Sequence, residues 1–350
     1  MLKSINDMNP IDKTNRNSNL ELYRIVVMIL IVAHHYVVND YGLWAKMTAN
    51  PFSLNSTVYY ILGMWGKTGI NCFVMITGYF MCTCDISLSK FLKLYVQIVF
   101  YSIITFVFFS ILYRNFSYFN LLWCLCPIKG LSSNFMGCFI IFYLLLPFLN
   151  IVYKNISKKM HLSLIALLLF SYVIVPLQTK YDVSMNYVSW FITLYFMSSF
   201  IRKYSIWKEC NTWFWGCVTL FTTIISIISV LLVVYFTKGA HAYYFVGEVN
   251  RPFALLIGFV SFVFFKGLKI KQSKYINVIA ASTFGVFLIH TRLSKFLWKD
   301  LFNVQQFYST PLISIAIIFV VYASCTFIDY LRIHLLEKPL FTALRNRNII

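Results

Sequence analysis

Leu20-Glu-Leu-Tyr-Arg24-Ile-Val-Val-Met-Ile-Leu-Ile-Val-Ala-His34-His35-Tyr-Val-Val38 is the stretch on which the reading of this chain turns. A helix needs about 20 mostly apolar residues to cross a bilayer. This run has that length and carries four ionisable groups of interest, Glu21, Arg24, His34 and His35. Such groups are costly inside a membrane, so each is a functional candidate. Helical geometry separates the two histidines. From Arg24 to His35 the helix turns through roughly 1100°, about 20° from whole turns, whereas His34 falls about 80° off that face. Arg24 and His35 therefore share a face, about 16 Å apart along the axis. Glu21 lies one turn before Arg24, where it can pair with it. Two readings fit. A guanidinium at the membrane rim can clamp a phosphate while a deeper imidazole serves as general base. Alternatively, the arginine snorkels to the interface and the histidine bonds a neighbouring helix.

The rest of the chain agrees with a membrane setting. Hydrophobic residues make up 60% of the 350, charged residues only 12%, and mean hydropathy is +0.73. A water-soluble domain carries roughly 25% charged residues. Runs long and apolar enough for spans fall at 20–38, 58–81, 91–113, 135–153, 161–177, 187–201, 212–236, 252–267, 276–290 and 311–331. The sixth and ninth are short, which suits helices that extend into their flanks or are broken inside the bundle. The expectation is an all-α polytopic membrane protein, a bundle of about ten transmembrane helices. It divides into a cytoplasmic N-terminal segment (1–19), a transmembrane domain (20–333) and a cytoplasmic C-terminal tail (334–350). No internal repeat is evident, and the longest loop, 114–134, fits an interfacial turn. Residues 1–18 are polar and the first apolar run has no small-residue cleavage site, so the run reads as a retained span rather than a signal peptide.

Charge gives the orientation. With ten spans, about 20 of the 30 Lys and Arg gather at one membrane face, including Arg24, Lys90, Lys93, Arg202, Lys274, Arg332 and Lys338. The richer face is the cytoplasmic one, which places both termini there. The net charge of +19 is thus spread over span ends rather than gathered into a basic reading surface, which argues against a nucleic-acid partner. The nine cysteines form no framework. The Cys82/Cys84 and Cys124/Cys126 pairs are set on opposite faces by this topology and cannot share a zinc, so no metal is expected.

Three further places hold candidates. Gly66-Lys67-Thr68 lacks the earlier glycine of a phosphate loop, having Ile61 there. Gly63, Gly66 and Gly69 instead allow close helix approach, and Lys67 faces a cavity near the outer end. His290 ends the ninth run at a depth comparable to His35, so the two could line one cavity. Asp329 and Arg332 form an i,i+3 pair at the cytoplasmic face, and Pro339 fits a helix stop.

Taken in order, these segments resemble the acyltransferase-3 family of integral-membrane acyltransferases, in particular members that O-acetylate bacterial surface polysaccharides. Arg24, ten residues, then His35 looks like the family's Arg-X10-His signature. Gly69-Ile-Asn-Cys-Phe-Val-Met-Ile-Thr-Gly-Tyr-Phe80 resembles its second-helix segment. Phe142–Asn150, Ser189-Trp-Phe191 with Phe200–Tyr204, Ser282–His290 and Ile328–Leu340 look like later landmarks. The resemblance implies acetyl-CoA as cytoplasmic donor, His35 as the essential base or as a covalent acyl carrier, and Arg24 as a residue needed for donor engagement. Lys90 and Lys93 stand where relatives often have an arginine-rich stretch, and are candidates for the cofactor. His290, Lys67 and Glu21 are candidates for the substrate. The acceptor would be a hydroxyl of a surface polysaccharide or a lipid-linked sugar, and the setting a bacterial cell membrane. The alternative is a transporter or flippase for a lipid-linked glycan. Such proteins often show repeated halves, and none is visible here.

Overall fold

The computed structural model describes residues 17–39, 41–84, 87–126, 135–178, 185–206 and 211–347. Lys3, Lys13, Arg16, Lys208, most of the 178–186 loop and the last three residues lie outside them.

The first long helix, α1 (Ser18–Val38), matches the first apolar run. After it come α2 (Leu43–Ala49), α3 (Leu54–Gly63) and α4 (Gly66–Met81). A third group comprises α5 (Leu88–Leu112), the short α6 (Tyr118–Cys124), α7 (Phe135–Asn155) and α8 (Lys158–Leu169), which continues through a π-turn into α9 (Val175–Gln178). The remainder is α10 (Tyr187–Lys203), α11 (Thr212–Thr237), α12 (Pro252–Gly267), α13 (Lys274–Ala281), α14 (Thr283–Arg292), α15 (Pro311–Arg332) and α16 (Lys338–Asn346). Every described regular element is helical. Polar side chains set many of the starts, as helix N-termini require. Ser53, Ser87, Ser157 and Ser273 each accept an N–H from the first turn of α3, α5, α8 and α13, and Asn186 forms a capping box with Ser189 on α10. Pro252 and Pro311 open α12 and α15, where the missing N–H costs nothing.

Six helical stretches are long and apolar enough to cross a membrane: Ser18–Val38, Leu88–Leu112, Phe135–Asn155, Lys158–Leu177, Thr212–Thr237 and Pro311–Leu344. Of the other four apolar runs, 187–201 and 252–267 appear as single shorter helices, α10 and α12. The other two are broken. The ninth run divides at Ser282 into α13 and α14, and the second, expected to be continuous, divides at Met64–Trp65 into α3 and α4. The cause of that second break is tertiary. His34 Nδ1 lies 2.5 Å from the Gly63 carbonyl that ends α3. Its ring also fills the space over Gly66, where a Cβ would sit 2.3 Å from His34 Cδ2.

Helix α1 is the axis of the bundle. It packs against α3, α4, α12, α13, α14 and α15, while α4 is wedged between α10 and α12. Helices α5, α8 and α11 sit outside and keep most of their apolar surface exposed, as lipid contact demands. Two buried asparagines tie the inner helices without leaving an amide unpaired. Asn71 donates to the Val249 carbonyl (2.8 Å) and accepts from Trp190 Nε1 (2.7 Å). Asn150 donates to the carbonyls of Met81 and Cys84 and accepts from Tyr195 Oη at 2.6 Å.

The C-terminal end corrects one expectation. Pro339 does not stop the helix. A π-turn, Ile333–Glu337, precedes α16, and the Lys338 N–H bonds the carbonyl of Ile333, five residues back. That shift of register lets a proline follow without the usual clash, so the segment 334–346 is helical rather than a loose tail. Of the 114–134 loop, residues 127–134 lie outside the described residues; in its first part α6 folds back along α5, and Tyr95 Oη donates to the Leu125 carbonyl at 2.6 Å.

Candidate active site

At the end of the bundle where α1 begins, Glu21 is buried and holds Arg24 in an ion pair of 3.3 Å. The pairing is the i,i+3 geometry of the sequence. Arg24 stays partly open and lines a cavity of about 290 Å³ with Thr77, Lys93, Gln97, Thr283 and Glu337. Lys93, Gln97 and Glu337 also line an adjoining and larger cavity of about 750 Å³, whose other walls include Lys274, Arg332, His334 and Lys338. The larger cavity is therefore basic, and it shares Lys93, Gln97 and Glu337 with the Arg24 pocket. Lys90, by contrast, is exposed on the first turn of α5 and lines neither cavity.

One wall is built on a buried charge. Asp329 is fully buried and accepts from Tyr101 Oη (2.7 Å), Arg332 Nε (2.8 Å) and Gln97 Nε2 (3.3 Å). Arg332 also donates to Glu337 at 2.7 Å. In an α-helix residues five apart do not face each other; the π-turn between them brings these two into line. The aspartate fits against α14 only because Gly285 has no side chain there: a Cβ would stand 2.1 Å from Asp329 Cγ. The pair is thus more than punctuation at a helix end. Its signal in the sequence is an acid within an apolar span, the same signal that marked Arg24.

Beyond the Arg24 pocket stands a collar of phenylalanines. Phe135, Phe139 and Phe284 line the pocket. Their rings touch in turn: Phe135–Phe139 at 5.8 Å, Phe139–Phe284 at 6.1 Å and Phe135–Phe287 at 5.1 Å between centroids. On the far side of Phe287 lies His35, 6.4 Å from it.

His35 is partly open and its Nδ1 is 2.9 Å from Nε2 of His290. His290 is fully buried, with its Nδ1 2.6 Å from the Val286 carbonyl one turn back on α14. The two histidines therefore do meet. The buried one stands behind the open one, with no free face of its own for a substrate. His34, the other imidazole of the pair, turns away to Gly63. Lys67 lies further along, donating to Tyr187 Oη at 2.9 Å and paired with Glu248 at 3.4 Å. Glu248 in turn borders a cavity of about 320 Å³ lined with Trp44, His241, Tyr244 and Arg251. Of the sequence candidates, Glu21, Arg24 and Lys93 gather at one end of α1, and His35 and His290 stand toward the other. The structure adds Gln97, Lys274, Asp329, Arg332 and Lys338 to the first group.

The family model described as an acyltransferase domain, acyltransferase-3, matches residues 17–330. The chain belongs to that family. Neither the search of curated proteins nor that of solved structures gives a match. The match begins just before α1 and ends within α15, so it takes in both histidines, Arg24 and Asp329. Family membership makes the protein a membrane acyltransferase. An acyltransferase needs a place for the donor, a base or acyl carrier, and a place for the acceptor. The two adjoining cavities, the histidine pair and the Lys67–Glu248 neighbourhood are where this chain gathers groups suited to those tasks.

Proposed function

We propose that this acyltransferase moves an acetyl group from cytoplasmic acetyl-CoA to a hydroxyl of a cell-surface polysaccharide or its lipid-linked precursor. We place it in a bacterial cell membrane with both termini cytoplasmic. The observation that carries the reading is the basic cavity leading to Arg24, with His35 beyond it on the same helix. Coenzyme A is a polyanion on a long neutral arm. Lys93, Lys274 and Lys338 supply positive charge to a cavity of about 750 Å³, within the usual range for small-molecule sites. Arg332 is held by two carboxylates, Asp329 and Glu337, whereas Arg24 and Lys93 each face one, Glu21 and Glu337, so on this reading Arg24 and the lysines meet the phosphates. The arm would run past the phenylalanines, which offer apolar contact, and present its thioester near His35.

In the direct route His35 Nε2 takes the proton of the acceptor hydroxyl as the oxygen attacks the thioester carbonyl. The carbon–sulfur bond breaks, the thiolate of coenzyme A leaves, and the proton held on His35 is passed to it. In the covalent route the same nitrogen attacks the thioester carbonyl first and the thiolate leaves; the acceptor oxygen then attacks the acyl carbon, the carbon–nitrogen bond breaks, and the hydroxyl proton passes to the thiolate. The donor enters from the charged end and the acceptor from the Lys67 end. Purified protein in proteoliposomes, given acetyl-labelled acetyl-CoA and polysaccharide, should release free thiol in step with label appearing on the glycan. Movement of a lipid-linked glycan across the bilayer without thiol release would favour the flippase reading and overturn this one.

A further inference from the structure

We propose that His290 is a positioning residue: it fixes which ring nitrogen of His35 carries the proton, and so leaves Nε2 of His35 as the reactive nitrogen. The inference rests on the acyl-transfer reading above and follows from what each atom can do in a hydrogen bond. The Val286 carbonyl oxygen can only accept. The contact of 2.6 Å between it and His290 Nδ1 therefore requires a proton on that nitrogen. A neutral imidazole has one N–H, so Nε2 of His290 carries a bare lone pair and must be an acceptor. It faces His35 Nδ1 at 2.9 Å, which must then be the donor. With the proton of His35 on Nδ1, its lone pair sits on Nε2. That nitrogen makes no hydrogen bond to a described residue. A backbone carbonyl thus determines, through two rings, the tautomer of the base.

The surroundings hold the arrangement in place. His290 is fully buried, and its ring packs against Phe287 at 5.9 Å, the same ring that lies 6.4 Å from His35. The two imidazole centroids are 5.0 Å apart, and they come from different helices, α1 and α14. The job resembles that of the carboxylate behind the histidine in a hydrolytic triad, which sets orientation and tautomer. Here a neutral partner does it, so no second charge has to be kept in the bundle.

Two readouts test this in the full-length protein. In nanodiscs with ring-15N-labelled histidine, the six imidazoles are separated by single replacement. His35 should carry its proton on Nδ1, and in His290→Phe, which keeps the bulk but cannot accept, its population should move toward Nε2–H. In acyl transfer, His290→Phe should lower kcat by about 10- to 100-fold, the size of effect found when the partner that orients a metal-ligating histidine is lost, with KM for donor and acceptor unchanged. His290→Gln, whose amide oxygen can still accept from Nδ1–H, should keep most of kcat. Nε2–H at His35 in the unaltered protein would overturn the proposal. So would equal kcat loss in the Phe and Gln variants when both fold, or a shift confined to the acceptor KM. An unaltered protein that transfers no acyl group yet shows Nδ1–H at His35 would overturn the acyl-transfer reading while leaving the tautomer assignment standing.

Discussion

Adjacent histidines on one helix have opposite occupations here, and single substitutions should separate them. His35→Ala removes the partly open imidazole that His290 backs, and acyl transfer should fall to background in a protein that still inserts. His34→Ala removes the ring from the Gly63 carbonyl and leaves a buried acceptor unpaired. It should cost about 1–3 kcal/mol of stability, seen as a lowered Tm in detergent, while the remaining folded protein keeps turnover. Equal loss of activity in both variants would remove the distinction. Arg24→Lys tests the donor clamp. A lysine keeps the charge but not the planar fork that fits phosphate. The apparent KM for acetyl-CoA should rise about 10- to 100-fold, the worth of one charge-assisted hydrogen bond at about 1.5–3 kcal/mol, with the acceptor KM unmoved. A silent Arg24→Lys would mean the guanidinium only snorkels. The helical count from Arg24 separated the two histidines in the sequence because both lie on one unbroken helix, where residue number converts to angle. The partner of His35 was not legible in the same way. His290 is 255 positions away, and its role depends on a carbonyl direction that no spacing encodes.

Helices that are broken, rather than those that are whole, carry the contacts that matter at the next scale. The division at Ser282 frees α14 to present His290 to α1, and Gly285 lets α14 lie against Asp329 of α15. Gly285→Ala would place a methyl group 2.1 Å from Asp329 Cγ. The overpacking should destabilise by about 1–3 kcal/mol, and by displacing Asp329 it should also shift Arg332 in the wall of the basic cavity. A Tm unchanged from the parent protein would show that α14 and α15 can part without cost. Apolar runs made the helices legible, since length and hydropathy are sequence properties. Breaks were legible only in part. The shortness of 276–290 hinted at one. The break at Met64–Trp65 left no local mark beyond Gly63 and Gly66, because what opens it is the ring of His34 arriving from α1. The continuation of the helix through Pro339 leaves no local mark for a similar reason. A proline usually ends a helix, but here the five-residue turn is held by Arg332 and Glu337, and the helix goes on.

On the scale of the molecule, the basic cavity lies at the same end as the starts of α1, α5 and α13 and the end of α15. That is the end the lysine and arginine distribution assigns to the cytoplasm. If so, a cysteine placed at Lys159 in a background without reactive native cysteines should resist a membrane-impermeant maleimide added outside cells, and one placed at Gln306 should react. Both positions are exposed. The reverse pattern would turn the protein over and put the donor cavity outside. The bundle character was plain from composition. The size and sign of the cavity were not, because Lys93, Lys274 and the Arg332–Lys338 stretch come from three distant segments that only packing assembles.

The phenylalanine collar between Arg24 and His35 has a bearing on the cell as well as on the substrate. A protein that hands a group from one aqueous compartment to the other risks becoming a leak, and each ion let through dissipates about 2.3 kcal/mol per 100 mV of membrane potential. Were the donor to take the proposed route, touching aromatic rings along it would exclude water and so oppose the passage of ions. A slender thioester arm can still part the rings. On the proposed route turnover would then proceed while the membrane stays electrically sealed, with the donor itself acting as the plug.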